Sequence, residues 1–87
     1  MSDIEEIKKN LKTDKLVMGT EETIKALKAG QAKKVYLASN CKESVQKDIT
    51  HYCSFENTEL VVLEMPNDEL GTACRKPFSI SVLCMLK

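Results

Sequence analysis

The sequence has few of the residues that metal sites and disulfide frameworks need. Its 87 residues include one histidine, His51, and four cysteines whose positions differ by 12, 21 and 10, so no Cys-x-x-Cys pair is present. Structural zinc sites usually bring their ligands in close pairs, and disulfide frameworks belong mainly to small secreted domains. We therefore expect no bound metal, and we expect four reduced, mostly buried thiols, at Cys41, Cys53, Cys74 and Cys84.

Signals for catalysis and for membrane insertion are also lacking. The chain has no Gly-x-x-x-x-Gly-Lys-[Ser/Thr] phosphate loop and no evident trio of nucleophile, base and orienting group. No apolar run approaches the ~20 residues of a membrane span, and the charged start MSDIEEIKKN does not resemble a signal peptide. The sequence therefore predicts a cytoplasmic, non-enzymatic protein without a cofactor, a small-molecule substrate or a membrane partner.

The charges balance in number but not in position. The formal net charge is zero, which argues against a protein that coats nucleic acid nonspecifically. Residues 15–34 carry five lysines and two glutamates, whereas residues 56–69 carry five acids and no base. From residue 75 onward the charged residues are all basic. This distribution favours a small, specific footprint on an anionic ligand.

Helical and strand-like patterns alternate along the whole chain. Helices are predicted at residues 2–12, 20–30, 42–57 and 67–75, and strands at 15–19, 33–39, 59–64 and 79–86. Such alternation predicts a single α/β domain over residues 1–87, a three-layer α-β-α sandwich around a four-stranded mixed sheet.

Capping signals and apolar spacing predict the helix ends and the core. We expect Ser2 to cap the first helix, Thr20 or Glu21 to lie near the cap of the second, and Gly30 to end the second. Inward positions on the first three helices are predicted at Ile4, Ile7, Leu11, Ile24, Ala26, Leu27, Val45, Ile49, Tyr52 or Cys53, and Phe55. Core positions on the four strands, including a buried third strand, are predicted at Val17, Val35, Leu37, Val61, Leu63, Val82, and Leu83 or Cys84.

Three junctions between helices and strands carry the candidate functional residues. They lie at residues 19–22, 39–41 and 75–78. In open α/β sheets, functional residues collect in the loops at one end of the sheet. The first two junctions follow strands, whereas the third precedes one. All three can share one edge only if the last strand starts where the others end, which requires a mixed sheet.

The first junction could bind an anion or a base edge. Gly19 before a helix start exposes backbone N–H groups that suit a phosphate. Glu21 and Glu22 would repel phosphate, but a carboxylate can accept hydrogen bonds from a guanine edge, with Lys25 as the compensating cation. In the alternative interpretation, the glutamates only favour the helix dipole and Lys25 faces solvent. On dipole grounds alone, this alternative is the favoured one.

The second and third junctions are open to two interpretations as well. Asn40, at a strand end, is typical of a turn, but its amide could also bind a base edge. Pro77 is permitted at a strand start, and Phe78 could be a core residue. The neighbouring Arg75 and Lys76 favour another role for Phe78, because an aromatic ring beside cations can stack on an unpaired base.

The segments that hold these junctions resemble a known family. VMGTEETIKALKAGQAKKVYLASN and NDELGTACRKPF, followed by a hydrophobic strand, resemble ribosomal protein thirty of the archaeal and eukaryotic large subunit. That family is a branch of the kink-turn RNA-binding superfamily, which includes ribosomal protein seven-Ae. The similarity covers residues 16–86. It implies an α-β-α sandwich with a mixed four-stranded sheet, and a non-enzymatic structural component of the large subunit that binds a kink-turn in rRNA.

The resemblance also implies which residues meet RNA. A segment that meets the G·A pairs and backbone of the kink-turn is matched by Gly19, Thr20, Glu21, Glu22 and Lys25. Asn40 matches an asparagine of the ribosomal branch. The loop that contacts the looped-out nucleotide is matched by Pro77 and Phe78, and we expect Arg75 and Lys76 to hold nearby phosphates.

The chain departs from the family pattern at several positions. Arg75 stands where glycine is usual, which is expected to alter the turn before Lys76, and Glu43 stands where proline is frequent. The GTEET segment is closer to the snoRNP branch. Alternatives are therefore a kink-turn protein of a guide-RNA or snoRNP-type particle, or a regulatory protein-interaction domain on the same fold. For the ribosomal function we expect neighbouring ribosomal proteins as partners, and a monomer outside the particle.

Overall fold

A computed structural model describes residues 3–11, 13 and 15–87 of the protein and confirms the predicted α/β fold. Each of the eight predicted elements is present, within or close to its predicted range. The elements in chain order are α1 (Asp3–Lys9), β1 (Leu16–Met18), α2 (Thr20–Lys28), β2 (Ala32–Leu37), α3 (Glu43–Glu56), β3 (Glu59–Val62), α4 (Asn67–Ala73) and β4 (Val82–Leu86). The predicted cap at Ser2 lies outside the described residues.

The four strands form one mixed sheet in the order β1-β4-β2-β3. Strand β4 runs antiparallel to both β1 and β2, and β2 runs parallel to β3. Leu83 pairs with Met18 near the end of β1, and Val82 pairs with Leu37 at the end of β2. The ends of β1, β2 and β3 and the start of β4 therefore share one end of the sheet, which we call the junction edge. The other end of the sheet is the opposite edge.

Helices cover both faces of the sheet. A first core cluster packs α2 and α3 on one face through residues such as Leu27, Ile49 and Val35. A second cluster packs α1 and α4 on the other face through Ile7, Leu70 and other residues. Because apolar side chains leave both faces of the sheet, the central strands β2 and β4 are continuous buried runs over most of their length. The three-layer sandwich is thus confirmed.

Two core predictions are wrong, each for a geometric reason. Phe55 is 74% exposed. It lies two residues after the buried Cys53, about 200° around the helix, and so points away from the sheet. Strand β3 is not buried, because it pairs with β2 alone and is the outermost strand on one side of the sheet. Its Val62 is 58% exposed, and Val61 is only half-buried.

The predicted ends of α2 are confirmed. Gly30 follows the helix with a φ of 68°, the left-handed conformation expected of a glycine at that position. At the other end, Thr20 and Glu21 directly follow the cap residue. The cap itself is Gly19, with φ 103° and ψ 155°, a region of backbone conformation available almost only to glycine.

The four cysteine thiols are free and buried in the core. Burial raises the pKa of each thiol, and it raises that of Cys84 to about 11, with a further contribution from Cys53. Such thiols stay protonated and unreactive near neutral pH.

Across residues 3–11, 13 and 15–87, no group of three or more His, Cys, Asp or Glu side chains is placed to hold a metal ion. None of the helices described here is both long and apolar enough to cross a membrane.

Candidate nucleic-acid interface

Backbone hydrogen bonds bring the three predicted junctions together at the junction edge. The N–H of Gly19 donates to the carbonyl of Val82 at 2.9 Å, and the N–H of Ala38 donates to the carbonyl of Ser81 at 2.9 Å. The segment that follows Phe78 thus runs between the first and second junctions. The structure brings these distant parts of the sequence together because β4 starts where β1 and β2 end.

At the first junction, the start of α2 is open. The described residues supply no side-chain cap for this helix, and its first intrahelical bond runs from the N–H of Thr23 to the carbonyl of Gly19 at 3.1 Å. Unpaired N–H groups at a helix start carry partial positive charge and can bind an anion or an acceptor on a base.

The charged side chains of this turn are exposed. Glu22 pairs with Lys25, with 3.7 Å between Oε1 and Nζ, and both side chains are more than half exposed. Glu21 is exposed as well. An ion pair so exposed contributes little to stability, so these side chains stay available to a ligand. Lys25 does supply a positive charge beside the glutamates.

Phe78 stands between two shallow grooves at the third junction. Its side chain is 58% exposed, so it is not part of the core. One groove, of about 290 Å³, runs between Phe78 and the first junction at Gly19 and Thr20. The other, of about 300 Å³, has Lys76 and Pro77 in its wall with Asp68 of α4. A ring in this position offers its surface to a ligand that enters either groove.

The backbone of Phe78 is held against α4 by a glycine. A Cβ atom added to Gly71 would overlap the carbonyl oxygen of Phe78 and lie 3.0 Å from its carbonyl carbon and 3.3 Å from the Cα of Ser79. A glycine in a helix permits this close approach because it has no side chain. No local sequence signal indicates that Gly71 is a positioning residue, since its contact depends on a segment that follows the helix.

Arg75 lies in the turn that ends α4. Its φ is 59°, in the left-handed region. The N–H of Arg75 donates to the carbonyl of Thr72 and the N–H of Lys76 donates to that of Gly71, both at 2.9 Å. This pair of bonds is the Schellman motif, in which glycine is usual at the left-handed position. The turn thus forms with arginine there, at a strain of roughly 1–2 kcal/mol.

Asn40 connects the second junction to α4. Its Oδ1 accepts a hydrogen bond from the backbone N–H of Asn67 at 2.8 Å, and its Nδ2 donates to the Oδ1 of Asn67 at 3.1 Å. Asn67 in turn donates to the hydroxyl of Ser81, with 3.4 Å between the heavy atoms. Asn40 is exposed and keeps one N–H and one oxygen lone pair beyond these bonds.

One further cation lies near these residues. Lys8, in the last turn of α1, lines a groove of about 240 Å³ together with Met18, Arg75 and Lys76. In the sequence, a lysine in the last turn of a helix indicates only a favourable interaction with the helix dipole. No local signal could identify Lys8, because Arg75 and Lys76 lie far along the chain.

Comparisons with known proteins assign the chain to a family. Residues 4–87 match the Ribosomal protein L7Ae/L30e/S12e/Gadd45 family. The chain is 38% identical over 86 residues to the large ribosomal subunit protein eL30 of Archaeoglobus fulgidus, covering 98% of this chain and 95% of that protein. It is 37% identical over 75 residues to the eL30 protein of Methanococcus vannielii, with 86% and 71% covered.

A solved structure shares the fold. The structure of the Giardia lamblia 15.5kD RNA binding protein superimposes with a TM-score of 0.84 at 19% identity, over 97% of this chain and 70% of that one. The similarity of fold accompanies the similarity of sequence to the archaeal relatives. This chain therefore belongs to the Ribosomal protein L7Ae/L30e/S12e/Gadd45 family.

Proposed function

We propose that the protein is a structural component of the large ribosomal subunit that binds a kink-turn of rRNA through its junction edge. The curated relatives that cover most of the chain are large-subunit proteins named eL30, which supports the ribosomal role. The observation that most supports this binding site is the position of Phe78. This ring is 58% exposed and stands between two grooves, one of which includes the open start of α2.

In this proposal the third junction takes an unstacked nucleotide. Phe78 packs on its base or sugar, because aromatic side chains stack on bases that have left a helix. Arg75 and Lys76 precede Phe78, and they hold the phosphates on either side, with Lys8 as a further cation in the same groove. A kink-turn suits this surface, since it presents a looped-out nucleotide together with a sharply bent backbone.

The first junction takes the stem beside that nucleotide. The N–H groups of Thr20 and the residues that follow address acceptors on the RNA, and Glu21 or Glu22 accepts from a guanine edge, where N1–H and N2–H₂ are donors. Lys25 holds a phosphate and offsets the repulsion between the carboxylates and the RNA backbone. Asn40 uses its remaining N–H or lone pair on a base while Asn67 holds its amide plane in place.

The partners and location follow from the ribosomal role. The protein acts in the cytoplasm within the ribosome, beside neighbouring ribosomal proteins, and is a monomer outside the particle. It acts by shape and charge, without catalysis or a cofactor.

A gel shift tests the proposal with a kink-turn duplex and a straight duplex of equal length. We expect clear preference for the kink-turn. Phe78→Ala should lower affinity for the kink-turn by roughly 5- to 150-fold, the range of a lost base stack, while the melting temperature stays near normal.

Val62→Ala is the matched control for Phe78→Ala, because Val62 is also 58% exposed but lies on β3. It should leave kink-turn affinity unchanged. Equal binding to the two duplexes would contradict the proposal. A loss of folding stability with Phe78→Ala as large as for a core phenylalanine, about 3–5 kcal/mol, would remove Phe78 from the site.

A further inference from the structure

The opposite edge of the sheet carries a group of three rings, of which His51 and Phe55 are exposed and Tyr52 is half-buried. His51, Tyr52 and Phe55 lie in the second half of α3, and Phe55 is the most exposed large apolar side chain among the described residues, at 74%. The ring of His51 meets that of Phe55 edge-on, with centroids 5.0 Å apart and an interplanar angle of 85°, and contacts that of Tyr52 at 5.9 Å. Most of the Phe55 ring thus remains open to solvent.

One lysine lies over a ring of this group, and a second lies at the same edge of the sheet. The Nζ of Lys28, in the last turn of α2, lies 5.6 Å from the centroid of the Tyr52 ring, a cation–π distance. Lys33 is exposed, next to the register irregularity between Ala32 and Lys34 in the pairing of β2 with β4. The backbone of Gln31 connects the two regions, because its N–H donates to the carbonyl of Ala26 at 2.9 Å.

These lysines are not neutralised by the protein. Within residues 3–11, 13 and 15–87, neither Lys28 nor Lys33 makes an ion pair. Two acids at this edge pair with a different lysine. Glu59 pairs with Lys34 at 3.2 Å, as does Glu6 at 3.4 Å, and one exposed carboxylate, Glu56, lies beside Gly30. The chain as a whole is neutral, so two lysines without ion-pair partners at the same edge as an exposed aromatic ring are a local feature of this surface.

We infer that this surface, formed by Lys28, Lys33, His51, Tyr52 and Phe55, is a second RNA-binding site that takes a single-stranded segment. Phe55 stacks on an unpaired base, and Lys28 and Lys33 hold the flanking phosphates. Stacking on an aromatic ring tolerates any base because every base has a π face, and lysines follow the backbone regardless of sequence.

The two sites lie at opposite ends of the molecule. Helix α3 starts next to the junction edge and its last turns reach the opposite edge, about 20 Å away along a 14-residue helix. One domain could thus hold two RNA segments at once. The inference does not require kink-turn specificity at the junction edge, so either site can fail in an experiment while the other stands.

The probe is a 12-nucleotide oligouridylate, which cannot form a kink-turn. We expect it to bind the protein weakly at low salt, with NMR shifts concentrated at residues 28–33 and 51–56. Phe55→Ser should lower the affinity roughly 5- to 150-fold, as for loss of a stacked base. Val62→Ser removes another exposed apolar side chain, one that lies on β3 and is 58% exposed, and should leave the oligouridylate affinity unchanged.

Two double variants distinguish the effect of the lysines at this surface on RNA affinity from the effect of the protein's total charge. Lys28→Gln with Lys33→Gln should lower the affinity at least about fivefold and reduce the slope of log affinity against log salt by about 1.4, which is two phosphates on a single strand. Lys9→Gln with Lys42→Gln removes the same charge far from Phe55 and should change the affinity less than about twofold.

Three results would overturn the inference. They are no detectable oligouridylate binding at millimolar protein, equal losses in the two double variants, or binding that is lost with Phe78→Ser and kept with Phe55→Ser. The last result would place single-stranded RNA at the junction edge. Because Phe55 is a surface residue, each variant is expected to keep the native NMR spectrum outside its own neighbourhood.

Discussion

The two ends of the sheet hold similar residue types in different settings. At the junction edge, the exposed Phe78 belongs to a loop held by backbone contacts with α4, and acids and bases stand side by side. At the opposite edge, the exposed Phe55 projects from a helix, and Lys28 and Lys33, at the same edge, make no ion pair in the described chain. A fixed ring with mixed charge suits recognition of one shape, whereas a free ring with unpaired lysines suits any strand that carries phosphate.

This difference is also a difference in backbone conformation. Three residues with positive φ or without a side chain shape the junction edge: Gly19, Gly71 and Arg75. At the opposite edge, Gly30 and Asn57 end α2 and α3 with positive φ, and a Cβ added to Gly30 would meet only a flexible glutamate, at 3.6 Å. Backbone substitutions should therefore damage the two edges unequally.

The largest effect is expected from Gly71→Ala. Helix propensity alone predicts a gain of about 1 kcal/mol. The overlap of the new methyl with the backbone of Phe78 should reverse the sign and destabilise the fold by about 3 kcal/mol, while it displaces Phe78 and weakens kink-turn binding. Urea unfolding measures the first effect and a gel shift the second. Glu69→Ala, an exposed change in the same helix, is the control, and a stabilised Gly71→Ala protein would contradict the close approach.

The next largest effect is expected from Gly19→Ala. No atom lies within 4 Å of the added Cβ, so the effect is purely one of backbone strain, about 2 kcal/mol. Because the start of α2 must shift, kink-turn affinity should fall as well. Gly30→Ala, at φ 68°, should destabilise by about 1 kcal/mol and leave kink-turn affinity intact. Equal losses of affinity in the two variants would remove the distinction between the edges.

The smallest effect is expected from Arg75→Gly, and its two parts have opposite signs. Relief of the left-handed strain should stabilise the fold by about 1 kcal/mol. Loss of one phosphate contact should weaken kink-turn binding and reduce the salt slope by about 0.9. Arg75→Lys keeps both the charge and the strain, so its stability should match the parent in urea unfolding. A glycine variant that binds as well as the parent would exclude Arg75 from the interface.

The sequence was sufficient to predict the architecture of the protein. The alternation of helices and strands predicts the sandwich. Three functional junctions can share one edge only in a mixed sheet, which the structure contains. The prediction of burial from apolar spacing is wrong at Phe55, because an aromatic residue near a helix end resembles an inward-facing one. It is also wrong at β3, because an apolar strand carries no signal that it is the outermost strand of the sheet.

The contacts that shape the candidate site depend on distant partners. Asn40 was open to two interpretations, a turn residue or a base contact, and its bonds to Asn67 span 27 positions. Gly71 could be recognised only once Phe78 was known to pass against α4. Arg75 is different, since the resemblance places a glycine there and its left-handed φ gives the physical reason for that glycine.

The most direct test of the central claim is an NMR titration of the ¹⁵N-labelled protein with a kink-turn duplex. The account predicts the largest shifts at residues 19–25, 40 and 75–80, along the junction edge, and much smaller shifts with a straight duplex of equal length. Shifts centred on β3, or the same shifts with both duplexes, would contradict it.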